Sequence, residues 1–245
     1  MGISEQVDQA ILQTPAHQIR DRVDALEQEW SDSRWVEAHA AAVGLLTLGA
    51  ARFLNPRVAL VPSTLGKLLL AHAVQGFYPL LPVFHWLGAR PRAEIDRQRY
   101  GLEQRLHPRD PVHLNNSGRR HGDRFDRVRR RTAPEVNQAI DLKIEASLEK
   151  MRGAAPIDIR ARLAELEKEW DIDQVIQSKT AALVNLGLAL GGRNRRGYML
   201  AGLGFASLLS HALTGWSPPL PILRRLGFRT RREIDREKFA LLAML

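Results

Sequence analysis

Residues 58–77 read VALVPSTLGKLLLAHAVQGF, and residues 197–216 read GYMLAGLGFASLLSHALTGW. Each is about twenty residues of nearly continuous apolar character, within the roughly 17–25 residues that an α-helix needs to cross a bilayer. Each carries a histidine, His72 or His211, five residues before an aromatic end. The likeness continues downstream. Gly76-Phe77-Tyr78-Pro79-Leu80-Leu81-Pro82, Leu87-Gly88-Ala89-Arg90 and Glu94-Ile95-Asp96-Arg97 return 139 positions later as Gly215-Trp216-Ser217-Pro218-Pro219-Leu220-Pro221, Leu226-Gly227-Phe228-Arg229 and Glu233-Ile234-Asp235-Arg236. Self-similarity at a fixed spacing is the mark of one structural unit written twice.

Upstream the shift becomes 140: Ile19, Val23, Leu26 and Trp30 correspond to Ile159, Leu163, Leu166 and Trp170. Both sets follow i, i+4, i+7, i+11 spacing, an amphipathic helix leading into an apolar segment. Further back, Val7 to Ile11 echo Val136 to Ile140 at a shift of 129, so copy two holds eleven extra residues at that joint. Eleven residues are about three helical turns, which lengthens a helix with little rotation of its apolar face.

Each copy has an earlier, shorter apolar stretch, Ala38–Leu54 and Thr180–Gly192. With the longer ones they predict two-helix hairpins over about 36–77 and 175–216. The five tryptophans, Trp30, Trp35, Trp86, Trp170 and Trp216, flank these stretches, as an interfacial aromatic belt requires. Small residues four apart, Ala40/Gly44 and Gly187/Gly191, permit close helix approach. The competing reading is a soluble bundle with Ala-, Gly- and Leu-rich core helices. Lys and Arg are more numerous outside the hairpins than in their turns, which places the termini and the linker in the cytoplasm. The expected fold is all-α and integral to the membrane: two tandem transmembrane hairpins with amphipathic cytoplasmic arms. The expected divisions are 1–106, a basic polar linker 107–131, and 132–245.

The formal net charge is +9, and there is no cysteine, which excludes thiol nucleophiles, thiolate metal sites and disulfides. Juxtamembrane arginines suit an anionic leaflet at about 1 kcal/mol each. The candidates for lipid or partner contact are Arg90, Arg92, Arg97, Arg119, Arg120, Arg129, Arg130, Arg131, Arg224, Arg225, Arg229, Arg231 and Arg232. Phe125 alone accompanies the arginine run in the linker, no stacking platform for nucleic acid, which is not an expected partner. The acidic pairs Glu94/Asp96 and Glu233/Asp235 read as part of a solvated charged helix. Thr230 with Glu233, and Thr132 with Glu135, have capping-box spacing.

His72 and His211 are the candidate cofactor residues, since ionisable groups within a span point to function. Two matched imidazoles can ligate a haem or chlorin. The plainer reading is interhelical hydrogen bonding, with Ser63, Thr64, Ser207 or Ser210 in reach. No phosphate loop, metal-spaced cluster or nucleophile triad is legible. No catalytic residue, metal or cofactor is expected, and the chain does not read as an enzyme.

The exit Gly215-Trp216-Ser217-Pro218-Pro219-Leu220-Pro221, followed by Arg224-Arg225-Leu226-Gly227, resembles the YgaP-like inner-membrane family. In that family a two-span hairpin ends in a Gly-Trp-Cys-Pro type motif followed by Leu-Gly, alone or after a rhodanese domain. The resemblance covers the hairpin and exit of each copy, about half the chain, and is closer in copy two. It implies a bacterial inner-membrane location. Ser217 and Tyr78 stand where the family often has cysteine, so no thiol role carries over. The expected function is a non-enzymatic scaffold or accessory subunit, packing on itself or on other membrane subunits and on anionic lipid. The alternatives are a haem- or chlorin-ligating electron-transfer subunit and a peripheral lipid- or nucleic-acid-binding helical protein.

Overall fold

The computed structural model describes residues 3–106, 126–191 and 196–245. Among them every regular element is helical. In order these are α1 (Ile3–Gln13), α2 (Ile19–Gln28), α3 (Asp32–Phe53), α4 (Leu60–Gln75), α5 (Leu81–Trp86) and α6 (Arg92–Leu106). They continue with α7 (Pro134–Met151), α8 (Pro156–Lys168), α9 (Ile172–Gly191), α10 (Arg196–Thr214), α11 (Leu220–Arg225) and α12 (Arg231–Leu242). Short 3-10 turns precede α2, α4 and α7. The chain forms two compact units that cut across its halves. One is Met1–Glu29 with Arg90–Asp171 and Leu223–Leu245; the other is Trp30–Ala89 with Ile172–Ile222.

The second unit is a four-helix bundle. α3 packs on α4 and α10, and α9 packs on α10 and α4. Successive helices run in opposite directions. Arg34 at the start of α3 donates to the carbonyl of Ala212 near the end of α10 at 2.8 Å, and Gln174 at the start of α9 donates to that of Ala73 near the end of α4 at 2.9 Å. The two donors are 140 positions apart in the sequence and the two acceptors 139, so one contact is the repeat of the other. Small side chains set the spacing. Gly187 and Gly197 lie backbone to backbone between α9 and α10, and the Phe205 ring fills the space over Gly44 of α3.

The first helix of each hairpin is longer than its apolar stretch. α3 has 22 residues and α9 has 20, because each begins in the polar sequence ahead of it. Among the described residues one helical segment, Arg57–Gln75, is long and apolar enough to cross a membrane, with mean hydropathy 1.3. α4 and α10 end on glycine rather than on the prolines beyond. Gly76 and Gly215, at φ 69° and 75°, donate their N–H groups to the His72 and His211 carbonyls. Positive φ costs glycine nothing and closes a helix end. Pro82 and Pro221 instead fall at the starts of α5 and α11, where a missing N–H is harmless.

The charged unit contains two three-helix sets, α1 and α2 on α6, and α7 and α8 on α12. One core joins Ile19, Val23, Leu26, Ile95 and Leu102, with Ile11 against it. The other includes Ile140, Ile159, Leu166, Ile234 and Leu241, with Leu163 against it. α6 and α12 meet through Tyr100 and Phe239, ring centroids 4.6 Å apart. These cores use the same positions of the two sequence copies. At the joint with eleven extra residues α7 has 18 residues against 11 for α1. The capping box at Thr230 forms with both hydrogen bonds. That at Thr132 does not: α7 starts at Pro134, and the Thr132 hydroxyl donates to the Val128 carbonyl.

Candidate functional site

At the end of the bundle where α3 and α9 begin and α4 and α10 finish, side chains from all four helices meet in a polar centre. His72 Nδ1 lies 2.9 Å from Gln177 Oε1. The Gln177 amide donates to Ser33 Oγ and to Glu37 Oε1, both at 3.1 Å. His211 Nε2 stands 2.8 Å from Asp173 Oδ1. One ligand atom each from Glu37, Asp173 and His211 lie within 4.8 Å of one another, and all three residues are buried. Burying carboxylates costs several kcal/mol each, and here the Gln177 amide on Glu37 and the His211 ring beside Asp173 offset that cost.

Both histidines singled out from the sequence therefore belong to this centre. Their interhelical partners are Gln177 and Asp173, not the expected serines and threonines. Ser63 pairs with Asn185, while Thr64 and Ser210 bond to main-chain carbonyls. Glu37, Asp173, Gln177 and Ser33 were missed, because polar residues at the head of an apolar helix read as flank. The signal lay in the alignment of the copies, which pairs Glu37 with Gln177, Ser33 with Asp173 and His72 with His211.

The arginines divide. Arg224 is almost wholly buried and holds Glu233 with two bonds at 2.6 and 2.7 Å, Asn137 at 2.9 Å and the Phe228 carbonyl at 3.1 Å. Arg129 is buried between Asp141 and Glu233, and Arg229 between Glu169 and Glu237. These three point inward because their carboxylates lie on packed helices, so they are not surface contacts for lipid. Arg90 pairs with Glu29, Arg92 with Asp96, Arg97 with Asp8 and Arg231 with Asp235, while Arg232 donates to the Glu27 carbonyl. Arg130, Arg131 and Arg225 are exposed, and Arg119 and Arg120 lie outside the described residues. The Asp96, Glu233 and Asp235 side chains are buried rather than solvated, since α6 and α12 are packed helices. Trp30 and Trp35 pack edge to face at 5.8 Å, and Phe84 lies beside Trp35. Trp86, Trp170 and Trp216 are exposed.

Burial pushes Glu27 up to about 7, against the pull of Arg232 and Arg99. Burial, then the Asp96 charge, pushes Asp235 up to about 6 against Arg231. Asp126 and Glu237 are also pushed up by burial, but hydrogen bonds and neighbouring arginines outweigh it and hold both low. A carboxyl raised in the folded state contributes stability that is full below its unfolded value and lost as pH rises through its folded value. For Glu27 and Asp235 that loss runs from about pH 4 to about pH 7. The charged unit is expected to resist denaturant better at pH 5 than at pH 8. In Glu27→Gln with Asp235→Asn the slope should flatten; an unchanged slope in denaturation midpoints against pH would assign it elsewhere.

No family model matches the chain, and no curated protein or solved structure proved significantly similar to it. None of these comparisons identifies a YgaP-like family.

Proposed function

We propose that this chain is an integral membrane protein built from a tandem duplication, serving as a non-enzymatic scaffold or accessory subunit. The observation that carries the reading is an inverted distribution of polarity. Most exposed large apolar side chains belong to the bundle, among them Leu46, Phe53, Leu60, Leu70, Val74 and Leu203, while Glu37, Asp173, Gln177 and His211 are buried inside it. Water rewards the opposite arrangement, and a bilayer rewards this one, where polar groups face the bundle interior. Contiguous apolar surface of this kind otherwise marks a protein interface.

In this placement the chain enters and leaves the bundle at the polar-centre end, and the excess of Lys and Arg outside the hairpins sets that end in the cytoplasm. A bacterial inner membrane, the location that the sequence resemblance implies, accommodates it. Of the candidate arginines among the described residues, the exposed Arg97, Arg130, Arg131 and Arg225 are open to anionic headgroups. Lys67, exposed two helical turns before the end of α4, must run its stem along the helix toward the headgroups.

Alkaline carbonate extraction of membranes expressing the full chain tests this. The protein is expected in the pellet. With no native cysteine, Arg57→Cys gives a clean label expected on the face opposite a cysteine added at either terminus. Release into the soluble fraction, or labelling from the same side, would sink the proposal.

A further inference from the structure

The polar centre contains the same three sequence positions twice. Glu37, Asp173 and His211 form one triad. Exchange of the two copies turns it into Gln177, Ser33 and His72. This second triad holds no carboxylate and is joined by hydrogen bonds, from Gln177 to Ser33 at 3.1 Å and between His72 and Gln177 at 2.9 Å. The fold is thus already satisfied at these positions by an amide, a hydroxyl and an imidazole. In the other triad the amide and the hydroxyl are replaced by carboxylates. Packing alone does not ask for that exchange, which concentrates negative charge inside a bundle at a cost in desolvation.

We propose that Glu37, Asp173 and His211 bind one divalent first-row transition-metal ion. Such ions take carboxylate oxygen and imidazole nitrogen at about 2.0–2.2 Å. Three donors around one centre then stand about 3–3.5 Å apart. The three ligand atoms here lie within 4.8 Å, a gap that small side-chain rotations close. One imidazole with two carboxylates suits zinc, manganese or ferrous iron. Calcium requires six to eight oxygens, and magnesium retains its waters. Gln177 supports the site from outside: its amide holds Glu37 Oε1 at 3.1 Å and is itself fixed by His72. Ligating carboxylates are commonly oriented in this way by a second ring of hydrogen bonds. Three protein ligands leave coordination positions open for water or a small ligand. The inference concerns the interior of the bundle and stands apart from the membrane proposal.

The test uses the full chain purified in detergent, stripped with chelator and titrated with Zn²⁺ or Mn²⁺ by calorimetry. One equivalent is expected, with a matching rise in melting temperature, because an ion bound only to the native state stabilises it. Glu37→Gln with Asp173→Ser writes the carboxylate-free triad onto both copies, which the fold already accepts once. It should keep its helix content and bind on the order of 100-fold more weakly or worse. Asp173→Asn, nearly isosteric, serves if the double variant does not fold. Failure of the native chain to bind either ion, or undiminished binding in the neutralised variants, overturns the proposal. Carbonate extraction reads the membrane assignment separately, so the two can fail independently.

Discussion

Gly197→Val should undo the α9–α10 hairpin. A Cβ at Gly197 would collide with the Gly187 carbonyl oxygen and with the Gly191 nitrogen, with Gly191 Cα next at 2.7 Å. All three are backbone atoms, which cannot rotate away as a side chain tip would, so the helices themselves must separate. Overpacking in a tight core costs about 1–3 kcal/mol where side chains absorb it. Here the expected loss is at the top of that range or beyond it. Gly49→Ala on α3 is the control, since nothing lies within 4 Å of its added carbon and the change should be close to neutral. Thermal unfolding followed by circular dichroism separates them. A Gly197→Val protein that melts within a degree or two of the parent would show that the backbones are not in contact.

Arg224→Leu is the second severe change. Its guanidinium spans Glu233, Asn137 and the Phe228 carbonyl from a position with almost no exposed surface. Removing it leaves the Glu233 carboxylate with Arg129 as its remaining cation and leaves Asn137 Oδ1 without this donor. Breaking a buried ion pair from one side typically costs about 3–5 kcal/mol. The loss should fall toward the lower figure because Arg129 stays. Arg225→Ala, one residue on and exposed, should change stability by no more than about 0.5 kcal/mol. Denaturant titration of both variants decides the matter, and equal losses would remove Arg224 from the core of the charged unit.

Much of the architecture was legible in the chain. The apolar stretches, the i, i+4 spacing at Ile19, Val23 and Leu26, and the Thr230–Glu233 cap each depend on residues a few positions apart, and each became an element of the expected kind. The matched shifts of 139 and 140 also named the residues that fill equivalent cores, such as Ile95 with Ile234. What escaped depended on distant partners. Arg224, Arg229 and Arg129 look like any basic surface until α7, α8 and α12 bring Asp141, Glu169, Glu233 and Glu237 against them. Asp173 and Glu37 are 136 positions apart, and no local pattern ties them together. Thr132 failed as a cap because Pro134 already supplies a favourable helix start.

The central triads show what joining two hairpins in one polypeptide permits. A dimer of identical hairpins must repeat every choice, so a Glu and an Asp at these positions would bring four carboxylates into one interior. A fused chain is released from that rule. Each half can carry one acidic residue while the matching position of its twin stays an amide or a hydroxyl, so that Gln177 braces Glu37, an asymmetry that a homodimer of the same shape is forbidden by its own symmetry.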